Sequence, residues 1–481
     1  MTNQPDVGLD WARHAIAFDA ARLPEPVAHI TKLSILDTLG VMLAATAFSE
    51  SILRPVVGFV QDSAGRPQSS VAVFGPKVPT AMAAFANGAM AHCLDYDDLT
   101  HDIALHPSSS TVPIALAMAE RVSSAAGEPG GTGEPLASGP VPGRELLAAV
   151  AIGNDLSTRL GDSIVWKSDW FTTPLFGFFS ATLTAARIAG LDVDRAFNAV
   201  GIAFCQAAGT LEMRRSTGSD IAGIYGAWPN HGAAVAVELA ARGVPGIARA
   251  FEGETGLYQV YFGGEYDRSQ LVDGLGEDFR GDRVSFKPWP ACGITHNPIQ
   301  AVIDLVVDHD LSPDDLAEIR VLTGNENCWA LCEPLDVRRR PPTAMDARYS
   351  IPYTVAAAAV TRDVRLGDFT ADALRRPDVA AVADRVVPVF DPELRRSEPI
   401  PPATVQIDTT DGRTLRTTVE VSYGRAPDRP MTEADVVAKF RDCASFAAVP
   451  FPDARVDEIV DAVLGLEDLP DAGVLAPLLV P

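Results

Sequence analysis

The chain is poor in cations, cysteine, histidine and long apolar runs, and each shortage removes a class of function. Lysine and arginine number 39 against 63 aspartates and glutamates, giving a formal charge of −24 and a pI near 4.7. A surface that acidic repels phosphate backbones and anionic lipid, so neither nucleic acid nor a membrane is expected as partner. An anionic small molecule is admissible only if its pocket gathers cations of its own. The six cysteines (Cys93, Cys205, Cys292, Cys328, Cys332, Cys443) are scattered, and Cys328 and Cys332 match neither a CxxC redox pair nor a zinc knuckle. A reduced, cytoplasmic setting is expected. The apolar run "ILDTLGVMLAATAF" has 14 residues, short of the roughly 20 that cross a bilayer. The polar start "MTNQPDVGLDW" leads into no apolar segment, so no signal peptide is expected. No repeat recurs at a period of roughly 20 to 50 residues, which removes solenoids.

What is present is apolar mass in a helical pattern. Hydrophobic residues make up 47% and charged residues 21%, enough for substantial cores in two or three domains. In "PEPVAHITKLSILDTLGVMLAAT", Val27, Ile30, Leu33, Ile35, Leu36, Leu39 and Met42 recur at helical spacing behind Pro24 and Pro26. "VPTAMAAFANGAMAHCL" is alanine-rich and predicts a closely packed helix. "TVPIALAMAERVSSAA" predicts a helix capped by Thr111, with Pro113 in its first turn. Residues 127–143, "GEPGGTGEPLASGPVPG", read as an exposed loop. Helices are also predicted at "GRELLAAVAIGNDLSTRL", "SATLTAARIAGLDVDRAFNAVGIAFCQAAG" and "GAAVAVELAARG".

The pattern changes near residue 266. "LAEIRVLTG" predicts a strand, and "ATVQIDTTDGRTLRTTVEVSYG" predicts a hairpin around Asp411-Gly412. "MTEADVVAKFRDCASF" and "RVDEIVDAVLGLEDL" are helical again. The expected fold is mainly α: an all-α domain over 1–265, a smaller α+β domain over 266–430, and C-terminal helices over 431–481.

Chemistry concentrates in "ANGAMAHCLDYDDLTHDIALHPSSS", residues 86–110, because the whole chain has only eight histidines and three of them fall here. On a helix ending near Leu94, His92 and Asp95 would share a face. Asp97 and Asp98 follow at the helix exit, where turn or cap roles are an alternative. A loop then carries Thr100, His101 and His106, and Pro107 pushes His106 toward an extended backbone. Imidazoles beside carboxylates shift each other's pKa toward working pH and can pass protons. Ser108, Ser109 and Ser110 before a helix could offer donors to an anion. A metal site is less favoured, since the spacing matches no HExxH signature.

Three further stretches are unspecific when taken singly. In "VSFKPWPACGITHNP", Lys287 has apolar neighbours and Cys292 and His296 lie four apart; a surface lysine with a capping histidine is the bland alternative. In "MRRSTGSD", Arg214 and Arg215 make a cationic pair suited to carboxylates. "RRRPPTAMDARYSIPY" carries Arg338 to Arg340, Arg348, Tyr349 and Ser350.

Together they are specific. The order "LDTLGVMLA", "ANGAMAHCLDYDD…HPSSSTVPIALAMAE", "FKPWPACGITHNPIQAV", "DARYSIPYTVAAA", "DGRTLRTTVEVSYG…RPMTEADVVAKF" resembles the MmgE/PrpD family from about residue 30 to residue 440. The resemblance implies a homodimer with an all-α domain, completed by the C-terminal helices, and an α+β lid over the active site. It implies action on small carboxylates without metal or organic cofactor, with proton removal or delivery next to a carboxylate. By motif, Asp95, His106 and Lys287 match the family's acid, histidine and lysine, with Cys292 and His296 beside the substrate. His101 is a further acid–base candidate, and Thr100, Ser108, Arg214, Arg215, Tyr349 and Ser350 are candidates for substrate binding. Departures are equally plain. A histidine usual in the family is missing near Phe171, a lysine and a histidine near Ile221 and Ile224, and the threonine after "DFDD" is displaced by Leu99. Arg214, Arg215 and His231 are the nearest replacements in sequence.

The reading that follows is a cofactor-independent lyase, first of all a hydro-lyase, acting on a small organic acid. An isomerase or epimerase on the same scaffold is the alternative, as is a decarboxylase of a cis-aconitate-like acid. A metabolite-binding scaffold without turnover is disfavoured by the retained Asp95, His106 and Lys287.

Overall fold

The computed structural model describes residues 5–125, 136–165, 170–215, 219–324, 326–392 and 400–481, with residues 214 and 215 as backbone. The first part of the expected loop at 127–143, up to residue 135, lies outside the described residues. A helical body is built from α1 (Val7–Ala17), α2 (Glu25–Phe48), α3 (Glu50–Asp62), α4 (Thr80–His92), α5 (Ser108–Ser124), α6 (Gly143–Asp162), α7 (Thr172–Ile188), α8 (Val193–Phe204) and α9 (Ala227–Ala241). A smaller unit follows with α10 (His296–Asp308), β1 (Leu316–Thr323), α11 (Ala344–Arg348), α12 (Ile351–Thr361), β2 (Val386–Phe390), β3 (Ala403–Thr409) and β4 (Thr414–Val419). Then come α13 (Glu433–Ser445) and α14 (Asp453–Leu464). The fold is mainly α with a small α/β portion, as the periodicity predicts.

The sheet runs in the order β2-β1-β3-β4, with β1 and β2 parallel and the other pairs antiparallel. β3 and β4 form the expected hairpin, and Gly412 supplies its positive φ of 89°. β2 has no sequence signal of its own, because Pro388 interrupts its valines. It is an edge strand, where a residue without an N–H is tolerated.

Two apolar cores result. One joins the helical body to α13 and α14 through Val436, Phe440, Cys443, Ile459 and Val463. The other fills the smaller unit around Ile319, Val321, Val355 and Ile407. The α2 helix corrects the estimate of its apolar length. It spans 24 residues and is apolar enough to cross a bilayer, but 83% of that window is buried inside the protein. It also carries Asp37, whose Oδ1 lies 2.6 Å from Lys439 Nζ of α13, with both side chains buried.

The α5 helix starts at Ser108, three residues before the cap predicted at Thr111, so Pro113 falls inside it. A proline there leaves the Ser109 carbonyl without its helical donor. Asn230 of α9 repairs the gap: its Nδ2 donates to Ser109 O at 2.9 Å, and its Oδ1 accepts from Ile114 N at 2.9 Å. The same contact region needs glycine. A Cβ on Gly88 of α4 would sit 2.5 Å from Gly226 O and 2.7 Å from Asn230 Nδ2. Gly88→Ala is therefore expected to destabilise the protein by about 1–3 kcal/mol, read as a lower urea midpoint with an unchanged slope.

Candidate active site

The acid–base segment leaves its helix earlier than the spacing suggests. α4 ends at His92, and Asp95 stands beyond it with φ +49°, a left-handed conformation that costs a residue with a Cβ. His92 and Asp95 are thus not neighbours on one helix face. His92 instead pairs with Asp97, its Nδ1 2.8 and 2.9 Å from the two carboxylate oxygens.

What holds the Asp95 turn is the lysine segment. Lys287 Nζ donates to Asp95 Oδ1 at 2.6 Å and to Asp95 O at 2.7 Å. Leu99 and Ser285 exchange backbone hydrogen bonds, each 2.9 Å, which fixes the register of the two segments. Lys287 is 2% exposed, so the alternative of a surface lysine is excluded. A second lysine supports the turn from behind. Lys439 Nζ donates to Tyr96 O at 2.7 Å and lies 3.7 Å from the centre of the Tyr96 ring.

His106 faces this pair with a defined tautomer. Its Nδ1 lies 2.7 Å from Asp98 O. A carbonyl only accepts, so Nδ1 carries the proton and Nε2 keeps its lone pair. Nε2 is 3.9 Å from Asp95 Oδ1. Burial pushes the imidazole down to about 3, Asp97 opposing and Lys287 assisting, so the ring is neutral at pH 7. For Asp95, burial alone would raise the carboxyl, but Lys287, His92 and His106 hold it well below the usual carboxylate range. The outcome is a carboxylate gripped by an ammonium, with an uncharged base beside it.

The remaining predicted residues fall into place around this centre or away from it. His101 is buried with Nδ1 3.0 Å from Ser285 Oγ, and burial pushes it well below its ordinary value. Thr100 is buried beside the turn, its hydroxyl without a partner among the described residues. Ser108 is committed elsewhere: its hydroxyl donates to the Asp98 carboxyl and accepts from Asn154 Nδ2 at 3.0 Å. Asp98 is pushed up to about 8 by burial, despite that bond to Ser108. Asp97 and Asp98 are fully buried, and Asp98 Oδ1 accepts from Ser108 N at 3.3 Å, so the alternative cap role falls to Asp98 at the start of α5. Cys292 is buried, and His296 at the start of α10 lies edge-on to Trp289 with Nε2 3.1 Å from Ala291 O. Ser350 caps α12, its hydroxyl accepting from Tyr353 N and donating to Arg338 O. Tyr349 is half-buried. Arg214 and Arg215 lie on a short helix, Glu212–Arg215, and their side chains fall outside the described residues. His231 packs edge-on against Phe85, beside the exposed Trp228 and Phe59.

Sequence reading missed Tyr225. Its ring lies 3.9 Å from His92 and 4.5 Å from Phe171, so an aromatic pair fills the space beside His92. Burial, with Asp97 next, raises its phenol well above the ordinary value and keeps it protonated. The signal was one residue away from Ile224, but spacing alone does not say which side chain turns inward.

His92, Asp95, Asp97 and His106 present ligand atoms within 4.8 Å of one another. Two imidazoles and two carboxylates form a donor set suited to a transition metal. Here, however, Asp95 already holds the Lys287 ammonium and Asp97 holds His92, so a dication would have to break both contacts. The residues fit a resident lysine cation rather than a metal.

The helical body thus holds a buried cluster of imidazoles and carboxylates with one lysine against it. The chain belongs to the MmgE/PrpD family, matching the MmgE/PrpD N-terminal domain over residues 10–269 and the MmgE/PrpD C-terminal domain over residues 289–466. It is 25% identical over 496 residues to cis-aconitate decarboxylase of Aspergillus terreus, covering 98% of this chain and 94% of that protein. The human cis-aconitate decarboxylase is 25% identical over 470 residues, covering 95% and 91%. The mouse protein of that name is 24% identical over 469 residues, covering 95% and 90%. Family and relatives mark an enzyme of the dehydratase and decarboxylase kind.

Proposed function

We propose that the protein is a lyase that removes CO₂ from a small unsaturated polycarboxylate related to cis-aconitate, without a metal or organic cofactor. The observation that carries this is the Lys287–Asp95 pair beside a His106 whose Nε2 is unprotonated. Breaking the C–C bond leaves its electron pair on the carbon skeleton. The Lys287 cation stabilises that charge, and the carbon takes a solvent proton relayed through His106 Nε2, which is left unprotonated again. The absence of charge on His106 and His101 favours this over dehydration. CO₂ departs unaided, whereas hydroxide needs an acid, and two neutral imidazoles are poor acids. Dehydration of a small hydroxy acid is the second reading, supported by the protonated Tyr225 phenol beside His92.

Proton NMR in D₂O with cis-aconitate, citrate, 2-methylcitrate, malate and iminodisuccinate tests both. New vinyl signals with release of CO₂ are the expected result. Vinyl signals without CO₂ would favour the dehydratase. Deuterium entering a substrate with no new product would overturn both readings in favour of an isomerase.

Two conditions sharpen the test. Activity should survive dialysis against EDTA, because Lys287 is the cation at Asp95. The rate step that uses the His106 base should also be insensitive to acid down to about pH 5. A base depressed to about 3 keeps its lone pair there, whereas an ordinary imidazole loses it below about 6.5. A pH–rate profile falling through 6.5 would contradict the role given to His106.

A further inference from the structure

The α6 helix carries a polar residue where a helix interior gains nothing from one. Asn154 lies near its middle and is 2% exposed. Asparagine is a weak helix former, because its amide competes for backbone hydrogen bonds. Burying that amide is tolerated only when it is hydrogen-bonded. Here its partners are side chains, and they lead toward the acid–base cluster.

Asn154 Oδ1 accepts from the Thr111 hydroxyl at 2.6 Å, which orients the amide. Asn154 Nδ2 then donates to Ser108 Oγ at 3.0 Å. With its oxygen receiving that bond, the Ser108 hydroxyl gives its own proton to Asp98 Oδ2, while Ser108 N donates to Asp98 Oδ1 at 3.3 Å. The Asp98 carbonyl in turn accepts from His106 Nδ1 at 2.7 Å. Every residue in this chain is buried. The peptide unit that carries Asp98 O also carries Leu99 N–H, which donates to Ser285 O at 2.9 Å. One end of that unit is thus fixed by the lysine segment. The other end is fixed through the Asp98 side chain, and α6 reaches it through Asn154.

We propose that Asn154 is a positioning residue for His106. Through Ser108 and Asp98 it holds the carbonyl that keeps the imidazole proton on Nδ1 and leaves Nε2 bare. Without it the Ser108 hydroxyl is free to turn, the carbonyl shifts from Nδ1, and the ring can carry its proton on Nε2 instead. That tautomer has no lone pair at Nε2 and cannot take a proton there. The role rests on the reading of His106 as the group that relays the proton, but the tautomer is measured without turnover.

Protein labelled with ¹⁵N-histidine is compared as wild type, Asn154→Leu, Ser108→Ala and the double variant at pH 7. The ¹⁵N shifts of an imidazole tell a protonated ring nitrogen from a bare one, and His106→Gln assigns the signals of residue 106 by their loss. Wild type is expected to show a protonated Nδ1 and a bare Nε2. Both single variants should move the two nitrogens toward each other, the mark of exchange between tautomers. The double variant should match them rather than add, since both act through one carbonyl. Turnover should fall roughly 2- to 12-fold, the factor that one neutral hydrogen bond carries. Affinity for tricarballylate, a saturated tricarboxylate with nothing to eliminate, should change far less. A residue that merely joined α6 to α5 would lower the melting temperature and leave the ring unchanged. Asn154→Ala serves if the leucine variant does not fold. A wild-type ring protonated on Nε2, unchanged ring signals in the variants, or shifted signals with wild-type turnover overturns the proposal. Shifted signals in a protein that turns over none of the panel acids would support the positioning role and refute the lyase reading.

Discussion

Lys287→Met is expected to destabilise the protein by about 3–5 kcal/mol, measured as a fall in unfolding free energy in urea at pH 7. The size follows from what remains. Lys287 and Asp95 are both buried, and the ammonium contacts the carboxylate at 2.6 Å and the carbonyl of the same residue at 2.7 Å. Methionine fills much of the volume but leaves a carboxylate and a carbonyl in the interior without a donor. The carboxyl must then ionise without help or take up a proton, and the left-handed turn at Asp95 loses its clamp. The sign with pH is defined. Asp95 is held below its unfolded value, so its contribution is present above about pH 4 and disappears as the pH falls through the folded value. The variant should therefore lose most relative to wild type at neutral pH, and less in acid. Adding Asp95→Asn to Lys287→Met should recover much of the loss, because no buried charge is then left alone. A double variant no more stable than the single one would show that the pair does not determine the effect.

The second large effect is on rate. His106→Ala should lower turnover about 10²- to 10⁴-fold, the usual contribution of a positioned acid or base, with a far smaller effect on tricarballylate affinity. The effect follows from the tautomer of the ring. Asp98 O accepts the hydrogen bond from Nδ1–H, so Nε2 is the atom able to exchange a proton with substrate, and no other imidazole replaces it there. His92 is held by Asp97 and His101 by Ser285. His106→Gln should be as slow as alanine, because an amide can hydrogen-bond but cannot take the proton. A glutamine variant with near wild-type turnover would assign His106 to positioning alone, and solvent deuterium uptake would then need another base.

Much of this was legible in the residues. Apolar spacing identified the long helices, and Asp-Gly between alternating runs identified the hairpin, because both signals are local. The crowding of histidine and aspartate between His92 and His106 marked the site, and "FKPWP" marked Lys287. The details that decide the chemistry are not local. The early end of α4 turns Asp95 away from the helix face that spacing assigned to it, and so exchanges its partner from His92 to Lys287, 192 residues away. Ser108 looked like a donor for substrate and is occupied by Asp98, because the helix begins three residues sooner than its threonine suggests. Arg348 follows a run in which Arg338 and Arg339 are half-buried and Arg340 is exposed, and only packing of α11 onto Cys93 sets it apart.

By itself, then, the sequence determined the helical class, the acidic character, the family and the segment that carries the buried histidine–aspartate cluster, since each depends on composition, periodicity or a short ordered motif. Which carboxylate meets which cation, which ring nitrogen keeps its lone pair, and which arginine is fully buried were decided by tertiary structure. Those properties depend on desolvation and on contacts a few ångströms long between residues far apart in the chain, and neither is encoded in any single stretch.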